Sequence, residues 1–223
     1  MAGASREEIL TRYRHLRALA TRHHSEALKF LSRSAILEQA RHLGLTRGKM
    51  LVAESLDEMT LAFDLAIHTA RPGHSRAIDR YARAAQLPPG SDEFVVLEAM
   101  RQARFSLCRV ERRHEVAGLI VQDLLRQDEA WLVDEALEQS APERMVMAMR
   151  LCMPDTFAMT SGIIVPVDRE VMEEVLDQVL PRVRGEPDQV ANDRRFASAI
   201  YRIAVANGLM ERVSFEEPPS STR

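Results

Sequence analysis

Cysteine is scarce in this chain: Cys108 and Cys152 are the only two among 223 residues. Two are too few for a disulfide framework or a zinc knuckle, and the expectation is a pair of reduced, buried thiols. Lysine is nearly absent as well. Lys29 and Lys49 stand alone, so the basic residues are almost all arginine; that bias fits a GC-rich bacterial genome and says little by itself about nucleic acid. No apolar run approaches the ~20 residues that cross a bilayer, and MAGASREEIL lacks the basic-then-apolar order of a signal peptide. A cytoplasmic protein with no membrane partner is expected. The nine glycines are scattered, and none forms GxGxxG or GxxxxGK. His-Glu-x-x-His and paired-cysteine spacings are missing too, so no cofactor and no metal are expected. One nucleophilic set can be drawn, Cys108 with His114 and Asp123, but on a strand the first two stand ~20 Å apart by rise alone. A non-catalytic protein is the reading that follows.

What is present is an ordinary globular composition, 46% hydrophobic and 28% charged, sufficient to bury a core without staples. Ser5 and Glu8 make a capping box, followed by Ile9, Tyr13, Leu16, Ala20, Ala27 and Leu31 at helical spacing. His24 falls on that stripe as a packing residue, while His23 points to solvent. A second helix is expected over Ala35–Leu43, stopping at Gly44. Ser55 with Glu58 opens a third, Ser75 a fourth through Leu87, and Ser91 a fifth towards Ala103.

From 105 to 167 the period changes. Phe105 to Glu111 alternates, Leu119 to Val121 is a β-branched run after Gly118, and Trp131 to Val133 follows a polar turn. Met145, Met147, Met149, Leu151 and Met153 occupy alternate positions, one face of a strand, although methionine and alanine also suit a helix. Those methionines are either core or an apolar contact face for a partner. Phe157 to Val167 is a fifth strand, with Gly162 at a bulge. Asp168 then caps a helix that Pro181 ends, and Val190–Ala206 reads as one last helix.

Two features of the first fifty residues bear on function. They hold ten Lys or Arg against four Glu, a net of +6 that leaves −9 for the rest. Such a basic arm either docks on the acidic body of its own or a neighbouring subunit, or meets nucleic acid. Within ILEQARHLGLTRGKMLVAES, residues 36–55, Ala40 and Gly44 have the spacing of a helix-turn-helix. Thr46, Arg47 and Lys49 would then start a recognition helix and contact DNA. Gly48 inside that helix counts against it, at about 1 kcal/mol relative to alanine; an ordinary helical hairpin is the alternative.

The pattern GLIVQDLLRQDEAWLVDEALEQS followed by FAMTSGIIVPVD, with the join AIDRYARAA…DEFVVLEAMRQARFSLCRVE before it, resembles a β-rich segment of uncharacterised bacterial proteins. Some of those end in a zinc-binding SEC-C motif. The resemblance covers residues 77–168 and implies no assigned activity; the binding or assembly reading comes from the compact β module held between helical arms. The SEC-C cysteine cluster itself is absent.

The expected architecture is α+β: a helical domain over 1–103, a small antiparallel β-sheet or barrel over 104–167, closing helices over 168–215 and a flexible tail over 216–223. The expected function is a protein-interaction or assembly module, self-associating as a homodimer and binding a further protein. A DNA-binding regulator is the alternative.

Overall fold

A computed structural model describes residues 4–48, 50–52, 55–71, 73–183 and 185–208. The expected tail over 216–223 lies outside the described residues. The fold is α+β: N-terminal helices, a five-stranded antiparallel sheet and C-terminal helices.

Helix α1 spans Arg6–Leu28, and both halves of the Ser5–Glu8 capping box are formed. Helix α2 covers Arg33–His42, capped by the Ser32 hydroxyl, and α3 covers Leu56–His68, capped by Ser55. Helices α4, Ala77–Ala84, and α5, Asp92–Arg101, complete the N-terminal layer. Between α2 and α3 lies a two-stranded hairpin, β1 (Thr46–Arg47) with β2 (Met50–Leu51).

The sheet comprises β3 (Arg104–Arg113), β4 (Leu119–Asp123), β5 (Glu129–Leu132), β6 (Val146–Cys152) and β7 (Met159–Pro166). Its order is β5-β4-β3-β6-β7, with every neighbouring pair antiparallel. It is not closed into a barrel. The two edges meet only at a parallel bridge between Leu132 and Ala158. Two irregularities bend it: Glu111 is an extra residue on β3 opposite the Val121–Ile120 step, and β7 carries two extra residues where Gly162 sits at φ +109°. Bulges of this kind raise the local twist, which is why the sheet curls towards itself. A short helix that the periodicity does not announce, α6 (Glu135–Ser140), starts where the Asp134 carboxylate accepts from Leu137 N–H at 3.1 Å.

Curling gives the sheet two buried faces. Phe105 and Leu107 of β3, Ala148 of β6 and Val165 of β7 pack with α2, α3 and the C-terminal helices. A second cluster joins α1, α4 and α5 to Phe157, Met159 and Cys152. On the concave side Cys108, Val110, Val121, Leu132, Met147, Met149 and Ile164 fill the inside of the sheet under α6. The C-terminal part runs through α7 (Arg169–Glu174), a π-helical turn (Val175–Val179), a 3-10 turn (Leu180–Arg182), α8 (Pro187–Asn192) and α9 (Arg194–Ala206). The single helix expected over Val190–Ala206 is therefore two. Asp193 adopts an extended backbone and its carboxylate accepts from Arg195 N–H at 2.8 Å, which restarts the helix.

Candidate functional site

The expected recognition helix is replaced by the β1–β2 hairpin. Helix α2 ends as its sequence indicates: Gly44 takes φ +83° and Leu45 N–H donates back to the Ala40 carbonyl at 2.8 Å. Beyond that turn the chain is extended. Val52 N–H donates to the Leu45 carbonyl at 3.0 Å, Thr46 faces Leu51, and Arg47 faces Met50. Gly48, at φ +64°, makes the tight turn. The glycine that weakens a helix is thus the residue a two-residue hairpin requires. Thr46 is half-buried and Arg47 exposed on β1, and Lys49 lies outside the described residues. Among the described residues, no helix starts there to enter a major groove.

This hairpin and the start of α3 carry the most exposed large apolar side chains among the described residues. Met50 is 72% exposed and Leu56, on the first turn of α3, is 86% exposed, with Leu51 and Val52 beside them. A hollow of about 580 Å³ between the hairpin and α2 is lined by Leu31, Ile36, Leu37, Met50 and Leu51, with one arginine, Arg33.

The methionine face turns inward. Met147 and Met149 on β6 are fully buried inside the curled sheet, Met145 is half-buried against them, and only Met153, past the strand end, is exposed. They form core and offer no contact face, because the curl of the sheet encloses the side on which alternate β6 residues lie. The stretch is a strand, Val146–Cys152.

The basic arm docks on the protein's own body. Arg6 pairs with Glu138 at 2.7 Å, Arg12 with Asp92 at 2.6 Å and Asp155 at 2.9 Å, Arg14 with Glu135 at 2.6 Å, and Arg22 with Glu93 at 3.3 Å. Arg17 donates to the Thr160 carbonyl at 2.8 Å. These pairs are partly exposed and individually worth about 0–1 kcal/mol, but together they account for most of the α1 arginines. His23, expected in solvent, is buried. Its Nε2 lies 2.9 Å from the Glu93 carbonyl and its Nδ1 2.8 Å from the Tyr81 hydroxyl. Burial lowers its pKa. In the neutral ring Nε2–H donates to the carbonyl and Nδ1 accepts from the tyrosine.

A buried polar cluster that sequence reasoning missed links α3, β6 and α9. Arg150 Nε and Nη2 donate to the Asp64 carboxylate at 3.0 and 2.8 Å, and Tyr201 Oη donates to it at 3.1 Å. The guanidinium also lies 5.6 Å from the centre of the Phe105 ring. Burial alone raises the Asp64 carboxyl, yet Arg150 more than reverses that and holds it at about 2. One turn along α3, the His68 ring is enclosed and both its nitrogens lack a hydrogen-bond partner. Burial pushes it well below the usual imidazole value, so it is neutral at pH 7. The ring of His24 packs edge-on against it at 6.0 Å, its pKa lowered to about 4 by burial. Asp64 and Arg150 sit 86 residues apart; no local spacing could join them.

Neither thiol is poised as a nucleophile. Cys108 and Cys152 are free and buried, and burial pushes both thiols up, that of Cys152 to about 12. Cys108 faces Asp123 across the β3–β4 ladder, but His114 is at the far end of that pair, stacked on Trp131 at 4.1 Å. Native protein is expected to react with Ellman's reagent about a hundredfold or more slowly than unfolded protein, since only the thiolate attacks and only on opening. Equal rates would show that the thiols are accessible.

Among the described residues no group of three or more His, Cys, Asp or Glu could hold a metal ion, and no helix is long and apolar enough to cross a membrane. A family model described as a family of unknown function, DUF7986, matches residues 7–213. The chain belongs to DUF7986. The match takes in the hairpin, the buried polar cluster and the C-terminal helices of this DUF7986 chain, well beyond residues 77–168. No curated protein and no solved structure is significantly similar to it.

Proposed function

We propose that this DUF7986 protein is a non-catalytic, cytoplasmic interaction module that self-associates through the face formed by α2, the β1–β2 hairpin and the start of α3. The observation that carries the reading is the exposure of Met50, Leu51 and Val52 on the hairpin and of Leu56 at the start of α3, with Met50 and Leu51 lining a hollow of mainly apolar walls. Contiguous exposed apolar side chains mark contact surfaces. A second copy is the favoured occupant because of the hairpin itself. Strands of two residues are marginal alone, and their outer edges present unpaired N–H and C=O groups that an identical hairpin can match across a two-fold axis.

Sedimentation equilibrium of the wild type and of Met50→Glu/Leu56→Glu tests this. Wild type is expected to dimerise, and the variant to dimerise at least tenfold more weakly, because two charges would be buried without partners. Both positions are exposed in the protomer, so the variant keeps its circular dichroism spectrum and its unfolding midpoint. A wild type that stays monomeric up to high micromolar concentration rules the reading out.

A further inference from the structure

At the C-terminal end of α3, two hollows of about 380 Å³ each share Thr69 and Arg194. One is walled by His42, Arg182, Arg194, Arg195 and Arg202, and among the described residues no carboxylate lines it. Of its arginines, Arg195 is held by Asp193 at 2.6 Å. Among the described residues Arg182, Arg194 and Arg202 make no direct ion pair, although Arg194 lies near enough to Asp193 and Glu38 to help lower both carboxyls. The other hollow runs inward to His68, Phe105 and Arg150. Arg150 commits Nε and Nη2 to Asp64, and both nitrogens of the enclosed His68 ring lack a hydrogen bond, Nε2 standing 3.9 Å from Asp64 Oδ1.

We infer that these joined hollows bind a small phosphorylated molecule, its phosphate on Arg182, Arg194 and Arg202 and its remaining body reaching past Thr69 towards His68. Three observations on different elements converge. Guanidinium groups free of a direct ion pair around a concavity are a means by which proteins hold phosphate, through charge-assisted and bidentate hydrogen bonds, and the one carboxylate lining the joined hollows, Asp193, is already held by Arg195. A buried imidazole with both nitrogens unpaired is rare and suits a polar ligand atom. The wall also contains Gln178 and Val179 of the π-helical turn, a distortion frequent at functional sites. The arginines ring a hollow of small-molecule size instead of tracking along a ridge, which favours a small ligand over a nucleic-acid backbone. This site is separate from the self-association face and does not depend on it.

Isothermal titration calorimetry of the full chain with inorganic pyrophosphate, at constant ionic strength, tests the inference. Saturable binding is expected, weakened about tenfold or more in Arg194→Ala/Arg202→Ala and unchanged in Arg14→Ala, an arginine that lines neither hollow and pairs with Glu135. Arg194 and Arg202 are exposed, so the double variant keeps its fold, which its circular dichroism spectrum verifies. Nitrogen-15 spectra of the His68 ring are expected to shift on adding pyrophosphate. Absence of binding, or binding that the double variant retains in full, overturns the site. Binding that leaves His68 unmoved overturns the joining of the two hollows. A short duplex DNA that displaces pyrophosphate and binds more tightly would make the arginines a nucleic-acid surface and overturn the small-molecule class.

Discussion

Asp64→Ala is expected to destabilise the protein by about 3–5 kcal/mol, the usual cost of removing one partner from a buried ion pair. Asp64 and Arg150 have side chains only 2% and 6% exposed, so the abandoned guanidinium is left charged in a largely buried position with its main partner gone. The Tyr201 hydroxyl loses its acceptor in the same step. The Phe105 ring, 5.6 Å from Arg150, compensates only a fraction of one charge. The paired replacement Asp64→Leu/Arg150→Met removes both charges and fills similar volume, and its cost is expected to be well below that of either single change. Urea unfolding at pH 7 of wild type, Asp64→Leu, Arg150→Met and the double variant, comparing midpoints and slopes, measures all four species of the cycle. A single variant within about 1 kcal/mol of wild type, or a double variant as damaged as the sum of the singles, would refute the buried-pair account.

The same cluster fixes the sign of the acid response. His24, at about 4, and His68 are both depressed by burial well below the unfolded imidazole value of about 6.5. The unfolded chain therefore binds more protons, and stability begins to fall as pH drops below about 6.5. Asp64 enters later. Its folded value of about 2 lies under the unfolded value of about 3.9, so its contribution is complete above about pH 4 and is lost as pH falls towards 2. Stability is thus expected to decline in two stages. In Asp64→Leu/Arg150→Met, which has no carboxyl at position 64, the lower stage shrinks.

Local chemistry carries most of the architecture. Ser5, Ser55, Ser91 and Asp168 each cap the helix their spacing indicates, and the five strands fall where the period shortens to two. Closure is harder to read, since whether a curled sheet becomes a barrel depends on where its extra residues fall. Gly162 signals one bulge, but nothing about Glu111 signals the other. The helix-turn-helix expectation fails at Gly48, because the glycine that costs a helix stability is also the residue best suited to a left-handed hairpin turn. The methionine period marks a strand correctly, yet alternation cannot say which face a curved sheet encloses. The buried cluster is invisible for a different reason. Asp64, Arg150 and Tyr201 lie on three elements brought together only by the packing of α3, β6 and α9, and each alone looks like a surface residue. The arginine-lined hollows are likewise assembled from α2, the end of α3, the π-helical turn and α9.

Gly118→Ala is expected to be among the most damaging single-methyl additions in the chain, costing several kcal/mol. Two separate penalties combine there. The residue sits at φ +77°, where an L side chain costs roughly 1–2 kcal/mol. A Cβ would also stand 2.2 Å from the Leu132 carbonyl oxygen and 3.0 Å from Val133 Cα, so backbone must move. Leu132 occupies a structurally critical point, paired with Leu119 across the β4–β5 ladder and bridged to Ala158 where the sheet edges meet. Displacing it strains the ladder and loosens the bridge at which the sheet edges meet. Gly44→Ala isolates the conformational part, for Gly44 lies at φ +83° and an added methyl there meets nothing within 4 Å. That variant is expected to lose only about 1–2 kcal/mol. The difference between the two unfolding free energies then measures the clash with Leu132. Hydrogen exchange reports on the curl itself. The N–H groups of Val133 and Ala158 donate to the Ala158 and Trp131 carbonyls at 3.0 and 2.7 Å and stitch the sheet edges together. A Gly118→Ala protein that folds should exchange those two amides faster than wild type. Equal losses in the two glycine variants would mean that Leu132 yields freely, and the edge-to-edge bridge would then contribute little to the shape of the sheet.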